Sequence, residues 1–135
     1  PPTAVNDASS IDMAHMMDAN RDYRFIIQYN DKTADLVRRL HRIGANFSPL
    51  FDASGGRGLS PDTWRAPVFD SGAQGYSGGM SPENVANNLT KISAVVPAER
   101  DIWIDAEGKL KTDDRFDIAR AKQYIINAEN WIKQR

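Results

Sequence analysis

The spacing of apolar residues changes character several times along the chain. Near the start, Ile11, Met13, His15, Met16 and Met17 predict one short helix opened by Ser9 or Ser10. A methionine cluster of this kind reads as filler for a core or an interface, since Met adapts to irregular gaps. From Arg24 the pattern becomes regular. Phe25-Ile26-Ile27-Gln28-Tyr29 is a nearly continuous apolar run, which predicts a strand buried on both faces. Asn30 and Asp31 end it and can cap the next helix. Leu36, Val37, Leu40 and Ile43 then share one face of that helix, with Gly44 as its stop. Phe47 to Phe51 is the next strand. Pro49 has no N–H for a ladder, so the well-paired part is expected to start at Leu50.

Asp52 to Gly79 is rich in Gly, Ser, Pro and Asp and reads as long loops, with one helix start at Ser60-Pro61-Asp62 and Trp64 as an apolar anchor. Gln74 to Ser77 forms a short strand ending in Gly78-Gly79. Ser81-Pro82-Glu83-Asn84 then reads as a helix opening, with Ser as N-cap, Pro at the first helical position and an acid in the first turn. Val85, Leu89 and Ile92 continue that helix. Ile102-Trp103-Ile104-Asp105 is the last strand. After a turn around Gly108, Asp114 to Asp117 opens a final helix whose Ile118, Ala121, Ile125, Ala128 and Ile132 repeat at three- and four-residue steps. Strands alternating with helices predict βαβ units and a parallel sheet, an α/β fold. Residues 1–22 read as a leading helix and linker, and 23–135 as about four βα units of one partial domain.

Composition narrows the field. The 135 residues are 41% apolar and 26% charged, which fits a globular chain. Seventeen basic against 18 acidic side chains leave a net charge of −1, no footprint for nucleic acid or an anionic membrane. The absence of Cys excludes disulfides, thiolate metal sites and a Cys nucleophile from this chain. No apolar run approaches the ~20 residues that span a bilayer, and no signal-peptide pattern opens the chain, so a cytoplasmic location is expected. The chain begins Pro1-Pro2 instead of Met, which reads as processing or as a piece of a longer frame.

The polar residues fall where such a fold binds ligands. Each strand is followed at its C-terminal end by polar or Gly residues: Gln28 and Asn30, then Asp52, then Ser77 with Gly78 and Gly79, then Asp105. In a parallel α/β fold these ends share one face. Asn and Asp also simply terminate strands and cap helices, which suffices for Asn30 and Asp31. Asp52 and Asp105 each close a strongly apolar run and are read as functional. Gly78-Gly79-Met80-Ser81-Pro82-Glu83-Asn84 is either a phosphate cradle, in which glycines admit a ligand to the backbone and helix N–H groups face an anion, or an ordinary turn before a capped helix. Gly55-Gly56-Arg57-Gly58 is a second anion-loop candidate, with Arg57 as its charge. His15 and His41 stand alone, His41 on a solvent face with the cluster Arg38, Arg39 and Arg42. No His/Asp/Glu spacing suggests a metal, no Ser sits in a nucleophile elbow, and no cofactor is indicated.

Three segments together resemble a known family. LFDASGGRG, GYSGGMSPENVANNL and WIDAEGKLKTDDRFDIARAK look like the C-terminal half of phosphoribosylanthranilate isomerase, a (β/α)8 barrel of tryptophan biosynthesis, over roughly Arg24 to Trp131. The resemblance implies that Asp52 is the general acid that protonates the ribose ring oxygen as the sugar opens. It implies that Gly78, Gly79 and Ser81 hold the substrate phosphate with help from Gly108, and that Asp105 orients the substrate. The implied reaction is an Amadori rearrangement, aminoaldose to aminoketose, needing an acid at the ring oxygen and a base at the C2 proton. The family's base is a Cys on its first strand and has no counterpart here. Ala106 and Glu107 replace its paired serines.

An eight-unit barrel takes about 250 residues, so this chain is expected to supply about half of a TIM-type barrel. Unpaired sheet edges would then be completed by a longer chain or by a second copy, giving a homodimer. The function expected is isomerase-like if the barrel is completed. The alternative is a non-catalytic half-barrel that binds a phosphosugar or phosphate.

Overall fold

The computed structural model describes residues 7–52 and 59–132. The chain is α/β and divides into two compact units, Pro1–Phe51 and Asp52–Arg135. In the first, helix α1 (Asp7–Ala19) precedes strand β1 (Phe25–Tyr29), helix α2 (Ala34–Arg42) and strand β2 (Phe47–Asp52). Strands β1 and β2 run parallel across the α2 crossover, with Phe25 opposite Phe47 and Tyr29 opposite Phe51. Pairing includes Ile27 opposite Pro49, so the strand forms from Phe47 and not from Leu50 as the sequence suggested. A proline is tolerated in such a ladder where its nitrogen side carries no donor obligation.

The core of this unit explains its sequence. Ala14, Met17 and Leu40 are buried together, and Met13, Phe25, Ile27, Leu36, Ala45 and Phe47 pack against them. Met17, with Met13 packed against it, is therefore core filler, a buried apolar side chain contributing about 1.5–3 kcal/mol, whereas Met16 is exposed. Strand β1 is not buried on both faces as its composition predicted. Phe25, Ile27 and Tyr29 turn inward, whereas Ile26 and Gln28 are exposed, because both helices cover the same face. The Asn30 side chain accepts from the N–H groups of Lys32 and Thr33, closing the turn into α2. Gly44 ends α2 at φ +75°, a conformation that favours glycine.

The second unit contains strand β3 (Gln74–Ser77), helix α3 (Val85–Ser93), strand β4 (Ile102–Ile104), a hairpin of β5 (Lys111–Thr112) and β6 (Arg115–Phe116), and helix α4 (Ile118–Ala128). Strands β3 and β4 are parallel across α3, with Gln74 opposite Ile102 and Tyr76 opposite Ile104. All four residues of β3 are buried.

Three expectations need correction here. Ser60-Pro61-Asp62 opens no helix; residues 59–73 are irregular and are held by side chains. The Tyr76 hydroxyl donates to Arg65 O, Arg100 Nη2 donates to Phe69 O, and Gln74 Oε1 accepts from Val68 N–H. These bonds satisfy a backbone that has no ladder of its own. Helix α3 starts at Val85, one turn after the expected opening, because Ser81 to Asn84 is occupied in a separate turn. Finally, α4 buries Tyr124 and Ala128, and its isoleucines face outward. The sequence also concealed the hairpin, whose two-residue turn places Asp113 and Asp114 at φ 50° and 61°. Asp117 caps α4 by accepting from the N–H groups of Ala119 and Arg120. The Thr112 hydroxyl and those N–H groups hold its carboxyl below the ordinary range.

Candidate functional site

The site is built on the C-terminal end of β3. After Ser77 the chain turns through Gly78 at φ 130° and Gly79 at φ 57°, backbone conformations that side chains disfavour. Both carbonyls are tied to side-chain donors. The Ser60 hydroxyl donates to Gly78 O at 2.9 Å, and Asn84 Nδ2 donates to Gly79 O at 2.9 Å. Ser60 Oγ is in turn approached by Asn88 Nδ2 at 3.3 Å and by Asn84 Nδ2 at 3.4 Å. Asn88 is buried, and its Oδ1 accepts from the indole N–H of Trp64 at 3.4 Å. The Trp64 ring meets Tyr76 edge-on, with centroids 5.8 Å apart. Trp64 is thus the anchor its isolation in a polar stretch suggested.

These tethers orient the turn. In a trans peptide the N–H points opposite to the C=O that shares its plane. Carbonyls of Gly78 and Gly79 directed at Ser60 and Asn84 therefore turn the N–H groups of Gly79 and Met80 the other way. Among the described residues, neither N–H makes a hydrogen bond. Successive N–H groups presented by a glycine turn form a concavity that accepts an anion.

The next segment is different. The N–H of Ser81 donates to Asn84 Oδ1 at 2.8 Å, so the donor expected there for a ligand is already used. The Ser81 hydroxyl, the N–H of Glu83 and the guanidinium of Arg120 all serve the Glu83 carboxylate, which they pull down to a pKa of about 2. Arg120 reaches the two Glu83 oxygens at 2.9 and 3.1 Å and donates from Nε to Lys109 O at 2.9 Å. It therefore joins the glycine-turn segment to the Gly108–Leu110 turn. Two more residues of α4 hold the same segment: Asn127 Nδ2 donates to Pro82 O at 2.7 Å, and the Tyr124 hydroxyl donates to Met80 Sδ at 3.7 Å.

Asp105 follows β4 directly. Its N–H donates to Tyr76 O, which extends the parallel ladder by one residue and sets Asp105 at the end of β4 that corresponds to Ser77 on β3. Burial raises the Tyr124 hydroxyl pKa, and the negative charge of Asp105 raises it further. Asp105, Tyr124 and Met80 thus share one neighbourhood with the cradle. Asp52 closes β2 with only 5% of its surface exposed. Gly108 is exposed, and a Cβ added there would meet nothing within 4 Å. Arg57, with Gly55, Gly56 and Gly58, lies outside the described residues.

Sequence reasoning overlooked Asn88, Arg120 and Asn127, read Ser60 only as a helix start, and named Asn84 only as the end of the glycine motif. Arg120, Tyr124 and Asn127 recur at helical spacing, but polar residues on a helix ordinarily mark its solvent face. Among the described residues, no group of three or more His, Asp and Glu side chains could hold a metal ion, and no helix is long and apolar enough to cross a membrane. Compared with protein-family models, with curated proteins and with solved structures, the chain has no match.

Proposed function

We propose that the second unit binds the phosphate group of a small phosphorylated sugar derivative at the Gly78–Met80 turn, as part of a (β/α)8-type partial barrel. The paired N–H groups of Gly79 and Met80, turned outward by the tethering of their carbonyls, carry this reading. They stand at the strand end where α/β folds place ligands, with Asp105 beside them to accept sugar hydroxyls. Arg120 neutralises the Glu83 carboxylate of the same segment, which would otherwise repel an anion. The barrel reading is supported in the first unit, where α1 and α2 both pack on one face of the parallel pair and Ile26 on the other is exposed. A barrel wall has its helices on one side only.

Inorganic phosphate and ribose 5-phosphate titrated into the isotope-labelled 135-residue chain test the reading. The amide resonances of Gly79 and Met80 are expected to shift together and saturate. Shifts confined to other residues, or none, would overturn it.

A second reading adds isomerase chemistry, favoured by the burial of Asp52 at the end of β2, where the resemblance places the acid. Asp52 would give its proton to the ribose ring oxygen as the C–O bond opens, and a base would then remove the C2 proton. That base must come from a residue other than a cysteine of this chain. Turnover of phosphoribosylanthranilate that disappears in Asp52→Asn supports this chemistry; phosphate binding without turnover leaves the binding function alone.

A further inference from the structure

We propose that the outer face of α4 is a contact between two copies of this chain, packed antiparallel about a twofold axis that passes between Ile125 and Ile126. Ile118, Ile125 and Ile126 are 76%, 59% and 49% exposed, and Ile132 just beyond the helix is 54% exposed. Isoleucines repeated on the outward side of a helix whose inward side is Tyr124 and Ala128 are not scattered surface residues. The charges on this face identify the occupant. Lys122 and Glu129 lie two turns apart, about 10 Å, and among the described residues neither belongs to an ion pair.

Antiparallel pairing about a point between positions 125 and 126 sets Lys122 opposite the partner's Glu129, and Glu129 opposite the partner's Lys122. It also sets Ile125 against the partner's Ile126 at the centre and brings Ile118 near the partner's Ile132 at each end. A parallel arrangement would oppose Lys122 to the partner's Lys122. The face is thus complementary to itself under a single twofold operation, as an isologous contact requires. One helix of this length offers a small contact, which places the dimer in the weak, concentration-dependent class. This contact does not depend on the phosphate reading, because it uses none of the residues that hold the glycine turn.

Sedimentation equilibrium of the 135-residue chain, from about 10 μM to about 1 mM, tests the contact over the range expected for a weak dimer. The average mass should rise with concentration towards that of two chains and stop there. Ile125→Glu should hold the mass at one chain across the range. Lys122→Glu should weaken association about tenfold, and adding Glu129→Lys should restore it. Circular dichroism of each variant checks that the exposed substitutions leave the fold intact. A single-chain mass at every concentration, growth beyond two chains, or association indifferent to these substitutions would overturn the proposal.

Discussion

Asn84 grips both ends of the turn that precedes it: Nδ2 donates to Gly79 O at 2.9 Å while Oδ1 accepts from the Ser81 N–H at 2.8 Å. One side chain therefore fixes the peptide that aims the Met80 N–H and takes up the N–H of Ser81. Asn84→Ala removes both bonds. It should raise the dissociation constant for phosphate about tenfold and lower stability by about 1–3 kcal/mol. Calorimetric titration and denaturant unfolding of the same variant measure the two effects.

Trp64 holds an irregular segment to the unit it covers. It is buried, meets Tyr76 edge-on and donates to Asn88, which supports Ser60 and through it the Gly78 carbonyl. Trp64→Phe keeps part of the packing but leaves the buried Asn88 Oδ1 without its indole donor, so it should cost about 1–3 kcal/mol of stability and weaken phosphate binding. Trp64→Ala should cost about 3–5 kcal/mol of stability. Urea unfolding separates the two variants.

Glu83 places a carboxylate beside the turn that is proposed to accept an anion. Its pKa of about 2 is depressed first by the Ser81 hydroxyl, then by its own N–H and by Arg120. A group depressed in the folded state contributes stability above its ordinary pKa and loses it as pH falls through the folded value. This contribution should therefore fade between pH 4.5 and about 2. Glu83→Gln should flatten that part of the stability profile. It should also tighten phosphate binding by about threefold at low salt, with the gain shrinking as ionic strength rises.

Tyr76 moves in the opposite direction. Burial pushes its hydroxyl up from 10 to about 12, with Arg100 opposing the shift. The folded chain then keeps a proton that the unfolded chain releases, so stability complete below pH 10 is lost as pH rises towards 12. Tyr124 shifts in the same direction. Tyrosinate absorbance should show these two ionising later than a free tyrosine, together with alkaline unfolding. Tyr76→Phe should lessen the alkaline loss, although it frees the Arg65 carbonyl from its bond.

The β5–β6 turn carries two aspartates at positive φ. Asp114→Gly relieves the Cβ contact of a left-handed residue and should stabilise the chain by about 0.5–1 kcal/mol. Thermal unfolding would show a small upward shift in midpoint.

The alternation of strands β1–β4 with helices α1–α4 was legible in the sequence because it follows from local spacing; the β5–β6 hairpin was not. The runs at Phe25–Tyr29 and Gln74–Ser77 became strands with those bounds, and the Val85/Leu89/Ile92 stripe became a buried helix face; of the Leu36/Val37/Leu40/Ile43 stripe, Val37 and Leu40 are buried and Ile43 is exposed. Pattern reading failed wherever the answer depended on a distant partner. The stripe of α4 was right at Ala121 and Ala128, which turn inward, and wrong at its isoleucines, which are exposed although isoleucine ordinarily marks the buried side. Here the inward positions must satisfy backbone at Pro82, a sulfur at Met80 and a carboxylate at Glu83, tasks for Asn127, Tyr124 and Arg120. The start at Ser60 met the local criteria for a helix, yet its hydroxyl bonds Gly78 O, 18 residues away.

The sequence by itself determined that strands and helices alternate, that glycines follow the third strand, and that an aspartate closes the second. Apolar periodicity and the conformational range of glycine act within a few residues, so they need no knowledge of the fold. Tertiary structure alone decided which way the peptides after Ser77 face. Their orientation depends on the side chains of Ser60 and Asn84, which come from opposite sides of the turn in sequence, and on the α4 residues that hold the segment beyond it. Such bonds form only when the chain has folded, because the two groups must first be brought within about 3 Å of each other.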